Sequence, residues 1–322
     1  MTASWLDEPP PAATLRGGPV PARVGNVLVG TASWTERTLL ESGAFYPPQV
    51  RTAERRLRYY ARHFPVVEVD ASYYALPQPR TAAAWVERTP PGFVFGVKAF
   101  AALTGHPIER ARLDRDLQVA LPRLPRLYPR DVPADVLEAI WQRFRAALAP
   151  LRAAGKLAYV LLQMPPWFVP SHESDAVLDD AARRLPDVQV AVEFRAAGWL
   201  AERRRARTLA ALGERGFTYV CVDEPQGTRA SVPPVAAVTS PALAVVRFHG
   251  RRRETWDRRG VSTTERFDYL YSAAELAEWV APIRRLAAET RTVCVLMNNC
   301  RRESAVRNAK ELAELLAKAG GV

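Results

Sequence analysis

Short apolar runs alternate with longer amphipathic stretches along most of the chain. Eight of the runs, rich in β-branched and aromatic residues, predict strands over 27–31, 66–69, 93–98, 157–163, 189–194, 218–222, 244–249 and 292–297. Helical periodicity fills most of the gaps, over 52–63, 80–89, 134–154, 174–185, 201–216, 272–289 and 303–319. Ser272, with Glu275 three residues on, reads as a capping box. The stretch 224–243 after the sixth strand is rich in proline, so the sixth helix is expected to be short or missing. Eight βα units over 27–319 are the grammar of an α/β fold, a TIM-like (β/α)8 barrel in a single domain. An open doubly wound sheet is the alternative. It lacks support because no glycine-rich fingerprint follows the first strand, where residues 30–34 read GTASW. Residues 1–26 read as a flexible Pro/Ala-rich tail without the apolar core of a signal peptide, and the insertion at 104–135 as a long βα loop.

Reactive groups of such barrels stand at the C-terminal strand ends. Here those ends carry Glu68 and Asp70, Lys98, Gln163, Glu193 and Arg195, Asp223, Arg247 and His249, and Asn298 with Asn299. Side chains two apart on a strand share a face, so Glu68/Asp70, Glu193/Arg195 and Arg247/His249 form three same-face polar pairs. They can be read as a salt-bridge network that plugs the barrel, but desolvation makes such networks weak stabilisers. A charged cluster at a barrel mouth fits a site better. The chain has four asparagines in all, and two stand together at the end of the last strand. One is expected to cap the final helix and the other to face a ligand. Of four histidines, His63 is expected to pack at a helix end and His172 to start a helix, while His106 and His249 lie just past strands. Two rim imidazoles are too few for a multi-zinc site. A hard Mg²⁺ or Mn²⁺ held by Glu68, Glu193 and Asp223 stays open. Trp34, Tyr46, Tyr73, Tyr74, Trp167, Phe168, Trp199 and Trp256 fall in the loops, where flat rings suit sugars or nucleobases, or simply pack the loops down.

Charge changes the picture little. The 322 residues carry a formal charge of +11, with 41 arginines against four lysines (Lys98, Lys156, Lys310, Lys318). A GC-rich genome produces the same bias, and the arginines are scattered, so surface composition explains them better than a nucleic-acid footprint. Three cysteines without a C-x-x-C spacing exclude a disulfide scaffold and a structural zinc site. No apolar run reaches the ~20 residues that span a bilayer. A cytoplasmic protein with no membrane partner is expected.

The chain resembles the domain of unknown function 72 family, the YecE-like proteins, over roughly 27–319. The resemblance rests on GTASW (30–34), FYP (45–47), VEVDASYYALP (67–77), QMPPWF (163–168), VEFRAAGW (192–199), VRFHGR (246–251), YLYSAAEL (269–276) and MNNCRRESAVRNA (297–309), in one order. It implies a TIM-like barrel and supplies no agreed activity. The family often has His after EFR where this chain has Ala196, Phe before the paired asparagines where it has Met297, and an unbroken Thr-His where Gly105 separates Thr104 from His106.

From the residues themselves the leading expectation is a hydrolase or lyase acting on a small anionic, phosphorylated or sugar-containing substrate. Lys98, Arg195 and Arg247 would clamp the anion. Glu193 or Glu68 would serve as general acid/base, with Asn298, Asn299 and His249 bonding substrate or oxyanion, and Trp34, Tyr73 and Trp199 lining the mouth. The alternatives are a nucleic-acid binder or phosphodiesterase-like enzyme, and a barrel that binds a small ligand or partner without turnover.

Overall fold

Every predicted strand forms, and the eight close on themselves. In the computed structural model, which describes residues 22–258 and 260–320, the barrel strands are β1 (Val27–Thr31), β2 (Val66–Val69), β3 (Val94–Lys98), β4 (Leu157–Gln163), β5 (Val190–Glu193), β6 (Thr218–Asp223), β7 (Ala244–Phe248) and β8 (Val293–Met297). All neighbours pair in parallel, and β1 meets both β8 and β2, which shuts the sheet. Gly30 permits that closure, since a Cβ there would stand 2.0 Å from the carbonyl oxygen of Val66. The glycine of GTASW thus serves strand approach.

Helices α1 (Ala53–Ala61), α2 (Pro79–Glu87), α3 (Ala134–Ala153), α4 (His172–Arg184), α5 (Glu202–Glu214), α6 (Val280–Glu289) and α7 (Ser304–Gly320) ring the barrel. No helix lies between β6 and β7, where the proline-rich segment runs extended, as its composition implies. The helix expected over 272–289 is two: Ala273–Ala277, with the Ser272/Glu275 capping box intact, and α6. Pro282 explains the break. It lacks an N–H, so it is best accommodated in the first turn of a helix, and α6 accordingly restarts two residues before it. Ser171 caps α4 through the amide of Ser174, 3.1 Å away, and His172 opens it.

Two boundaries shift. Residues 1–21 of the expected tail lie outside the described residues, while Arg23–Val24 pairs antiparallel with the start of β1. The barrel unit therefore takes in 22–26. The 104–135 insertion is an ordered element, with Ile108–Glu109 antiparallel to Arg126–Leu127 and a short helix at Arg115–Val119. Among the described residues no helix is long and apolar enough to cross a membrane.

Candidate active site at the barrel mouth

The period-two alternation of the strands sends the three polar pairs into the barrel, and Arg247 joins them. From β7 its Nη1 donates to Glu193 Oε2 on β5 and its Nη2 to Glu68 Oε1 on β2, each at 2.5 Å. All three side chains are fully buried. Glu193 Oε1 accepts from Gln163 Nε2 at 2.7 Å, contacts Arg195 Nη2 at 2.9 Å, and lies 3.1 Å from His249 Nε2. Asn298 Nδ2 donates to His249 Nδ1 at 2.9 Å, which leaves the ring proton on Nε2, facing Glu193. Arg195 Nη1 donates to Glu224 Oε2 at 2.7 Å, and the Val232 amide donates to Glu224 Oε1 at the same distance. Tyr159 donates to Glu68 Oε2 at 2.9 Å. Its ring fills the place of a missing side chain, because a Cβ on Gly96 would stand 2.3 Å from it.

Burial and charge divide these groups. Burial alone would raise Glu193, but Arg247, Arg195 and His249 outweigh it and hold the carboxyl well below its ordinary value. Burial pushes Glu68 up to about 7, with Arg247 offsetting only part of the effect. One guanidinium thus serves two carboxylates, and Glu68 is the one that keeps a proton near neutrality. Burial likewise pushes Glu224 up to about 8 against the pull of Arg195, and His249 down to about 3.

Outside this core the mouth opens. Lys98 Nζ stands 3.6 Å from Asp70 Oδ1 and 4.6 Å from the centroid of the Tyr73 ring. Arg247 Nη2 lies 3.7 Å from the same Asp70 oxygen, which accepts no hydrogen bond. The side chains of Lys98, Arg195 and Asp70 are 12, 11 and 27% exposed, against none for Arg247. His106, with Nδ1 2.8 Å from Thr104 Oγ1, stands edge-on to Tyr73 and Trp167. Burial, aided by nearby Lys98 and Arg195, pushes its imidazole down to about 3, so it is a neutral ring.

Several expected roles change. Arg247 cannot clamp a substrate, because both terminal nitrogens hold buried carboxylates. Glu193 cannot act as a general acid/base, because four donors surround its two oxygens and keep it ionised. Asn299 faces away from the ligand side, donating to the Tyr269 carbonyl and to Asn308 Oδ1. Neither rim asparagine caps the last helix. Trp199 is buried between Phe168 and Phe194, stacked on both, and donates to the Phe168 carbonyl, which makes it packing. Trp34 meets Trp85 edge-on and is half-buried.

Asp223 points out of the barrel, where it takes Arg251, Tyr271 and Trp279. A Glu68–Glu193–Asp223 magnesium or manganese site is therefore not formed: a guanidinium already bridges the two glutamates and the aspartate lies on the other face of the sheet. Among the described residues no group of three or more His, Cys, Asp or Glu is placed to hold a metal ion.

Glu224 and Tyr159 join the cluster without having been picked out as site residues, and His106, one of the two expected rim imidazoles, stands at its edge. For Glu224 the signal was one position away, since the residue after Asp223 necessarily faces the opposite side. Nothing local marked Tyr159, which matters only because Gly96 lies across from it. Replacing Tyr159 by Phe leaves one Glu68 oxygen without its donor, and denaturant melts are expected to show a loss of about 1–3 kcal/mol. An unchanged midpoint would mean that the phenol contributes nothing there.

Comparison with known proteins agrees with this architecture. The model of the family described as "Protein of unknown function DUF72" matches residues 28–321. The chain is 32% identical over 293 residues to UPF0759 protein YunF of Bacillus subtilis (strain 168), covering 90% of this chain and 94% of that one. It is 36% identical over 104 residues to UPF0759 protein YecE of Escherichia coli (strain K12), about a third of each. Crystal structures of DUF72 family proteins from Enterococcus faecalis V583 and Thermotoga maritima MSB8 superpose with TM-scores of 0.73 and 0.70 at 26% and 27% identity. They cover 90% of this chain in both cases, and 95% and 98% of their own.

Proposed function

Since the chain belongs to the DUF72 family, whose description states no reaction, we propose from the site itself that the barrel mouth binds a small anionic substrate for hydrolase or lyase chemistry. The observation that carries this reading is the division of the cations. Arg247 is consumed inside the core and Arg195 is held at both terminal nitrogens by Glu224 and Glu193, whereas Lys98 is partly exposed beside the neutral His106. The nearest carboxylate to Lys98 is 3.6 Å away, beyond a strong hydrogen bond, so its donors remain for a ligand.

Asp70 is the carboxylate placed to take a proton, having a buried oxygen that accepts no hydrogen bond, 3.7 Å from Arg247, on a side chain that is 27% exposed. Glu68, on the other side of the same Nη2, holds a proton near neutrality but is fully buried, so it leaves the Arg247 charge facing Asp70 and does not itself reach the substrate. Glu193, His249 and Asn298 position Arg195 and Arg247 and do not reach the substrate. Nucleic acid fits less well: Arg251 and Arg252, which follow β7, are engaged by Asp223, Glu278 and Asp268. A cytoplasmic setting belongs to the same reading, supported by three free cysteines, two of them buried.

Titration of the full chain with inorganic phosphate tests the reading. Lys98→Met is expected to weaken binding by about tenfold or more, the worth of one charge-assisted hydrogen bond. In a screen of phosphate monoesters and sugar phosphates, Asp70→Asn is expected to abolish turnover while phosphate still binds. Phosphate affinity indifferent to Lys98→Met would remove the proposal.

A further inference from the structure

We infer that the substrate joins its anionic head to a planar apolar tail, and that the tail lies in a groove beneath the 104–135 insertion. This rests on the mouth binding an anion as proposed above. The insertion is held in one shape by Arg110 Nη2 on the Gln118 carbonyl at 2.6 Å and by Arg143 on Asp114 at 2.6 Å. Between it and the turn after β2 runs a groove of about 250 Å³, walled by Tyr73, Tyr74, Phe100 and Ile108, with Arg112 and Arg126 at its lip.

Tyr73 belongs to both places. Its ring carries the Lys98 ammonium 4.6 Å from the centroid and also lines the groove, so an anion on Lys98 has the groove alongside it. The aromatic edge continues in both directions, with centroid separations of 5.0 Å from Tyr73 to Tyr74, 5.3 Å to His106, and 5.7 Å from His106 to Trp167. Tyr74 and Trp167 are left 53% and 61% exposed. Large rings left open beside a charged mouth offer faces to a flat ligand group. The volume falls below the ~300–1,000 Å³ of drug-sized sites, which suits one or two rings. The charges agree: Arg112 pairs with Glu109 at 3.4 Å, while Arg126 has no carboxylate partner among the described residues and can meet a second polar group at the far end of the tail.

Two sulfonates with the same head and different tails separate the groove from the mouth. By calorimetric titration of the full chain, naphthalene-2-sulfonate is expected to bind about tenfold or more tighter than methanesulfonate. Tyr74→Ala, at an exposed position that does not threaten folding, is expected to erase most of that advantage and leave methanesulfonate unchanged. Lys98→Met is expected to weaken both. Equal affinities that both depend on Lys98 would overturn the groove and leave the anion site standing. Tight naphthalene-2-sulfonate binding that ignores Tyr74 would also overturn the groove. If neither sulfonate nor phosphate binds, the groove and the reading beneath it fall together.

Discussion

Arg247→Met is expected to destabilise the protein by about 3–5 kcal/mol, read as a lower midpoint in urea or heat, because it strands two buried carboxylates without their shared counter-charge. Glu68 and Glu193 each give up a 2.5 Å hydrogen bond, and neither has a route to solvent. The loss should depend on pH in a definite direction. Glu193 has its folded-state pKa held well below the ordinary value by Arg247, Arg195 and His249. A depressed carboxyl contributes stability above its unfolded value and loses it as pH falls through the folded one. Removing Arg247 weakens that contribution, so wild type and variant should converge as the medium is acidified. Adding Glu68→Gln and Glu193→Gln to Arg247→Met is expected to recover part of the loss, since neither position then carries a charge and Arg195 keeps its bond to Glu224. A variant as stable as wild type at neutral pH would show that the guanidinium does not hold the network together.

Glu224→Gln is expected to act in the opposite sense and to flatten the pH dependence of stability. Burial pushes this carboxyl from 4.5 to about 8, despite Arg195. Below 4.5 the folded and unfolded states both hold the proton; above it the unfolded chain ionises first, so stability falls until pH passes about 8. At about 1.4 kcal/mol per pKa unit, the full effect is on the order of 5 kcal/mol. Glu68, pushed up to about 7, contributes in the same direction over a narrower window. Denaturant melts between pH 5 and 8 should therefore show a smaller slope in Glu224→Gln, and a smaller one still with Glu68→Gln added. Parallel curves for wild type and Glu224→Gln would mean that Glu224 is ionised throughout, held so by its bonds from Arg195 and Val232.

Both predictions concern charges that a reader of the sequence can place on the inner face but cannot pair. Strand alternation is local, a consequence of backbone pleating, so the inward direction of Glu68, Asp70, Glu193, Arg195, Arg247 and His249 follows from spacing alone. The same holds for the eight βα units and for the proline-rich segment that replaces the sixth helix, because periodicity and missing N–H groups act within a few residues. A parity argument has a sharp edge, however. With the sixth strand ended at 222, Asp223 passed for a rim residue; the strand runs one residue further, and Glu224 is the one that reaches Arg195.

Only closure of the barrel decided who meets whom. Arg247 finds Glu68 179 positions away, and no local pattern fixes such a pair, since strand tilt and stagger around the ring set which heights coincide. Burial, also a tertiary quantity, turned Glu193 from a candidate acid into a fixed anion and left Glu68 to hold the proton. It enclosed Trp199 between two phenylalanines and filled the space between Glu68 and Glu193 with a guanidinium in place of a metal ion. The sequence by itself determined the barrel and the inward set of polar residues, because these arise from short-range backbone geometry. The tertiary structure determined their partners, protonation and access to the mouth, because those depend on distances and solvent exclusion that exist only once the sheet has closed.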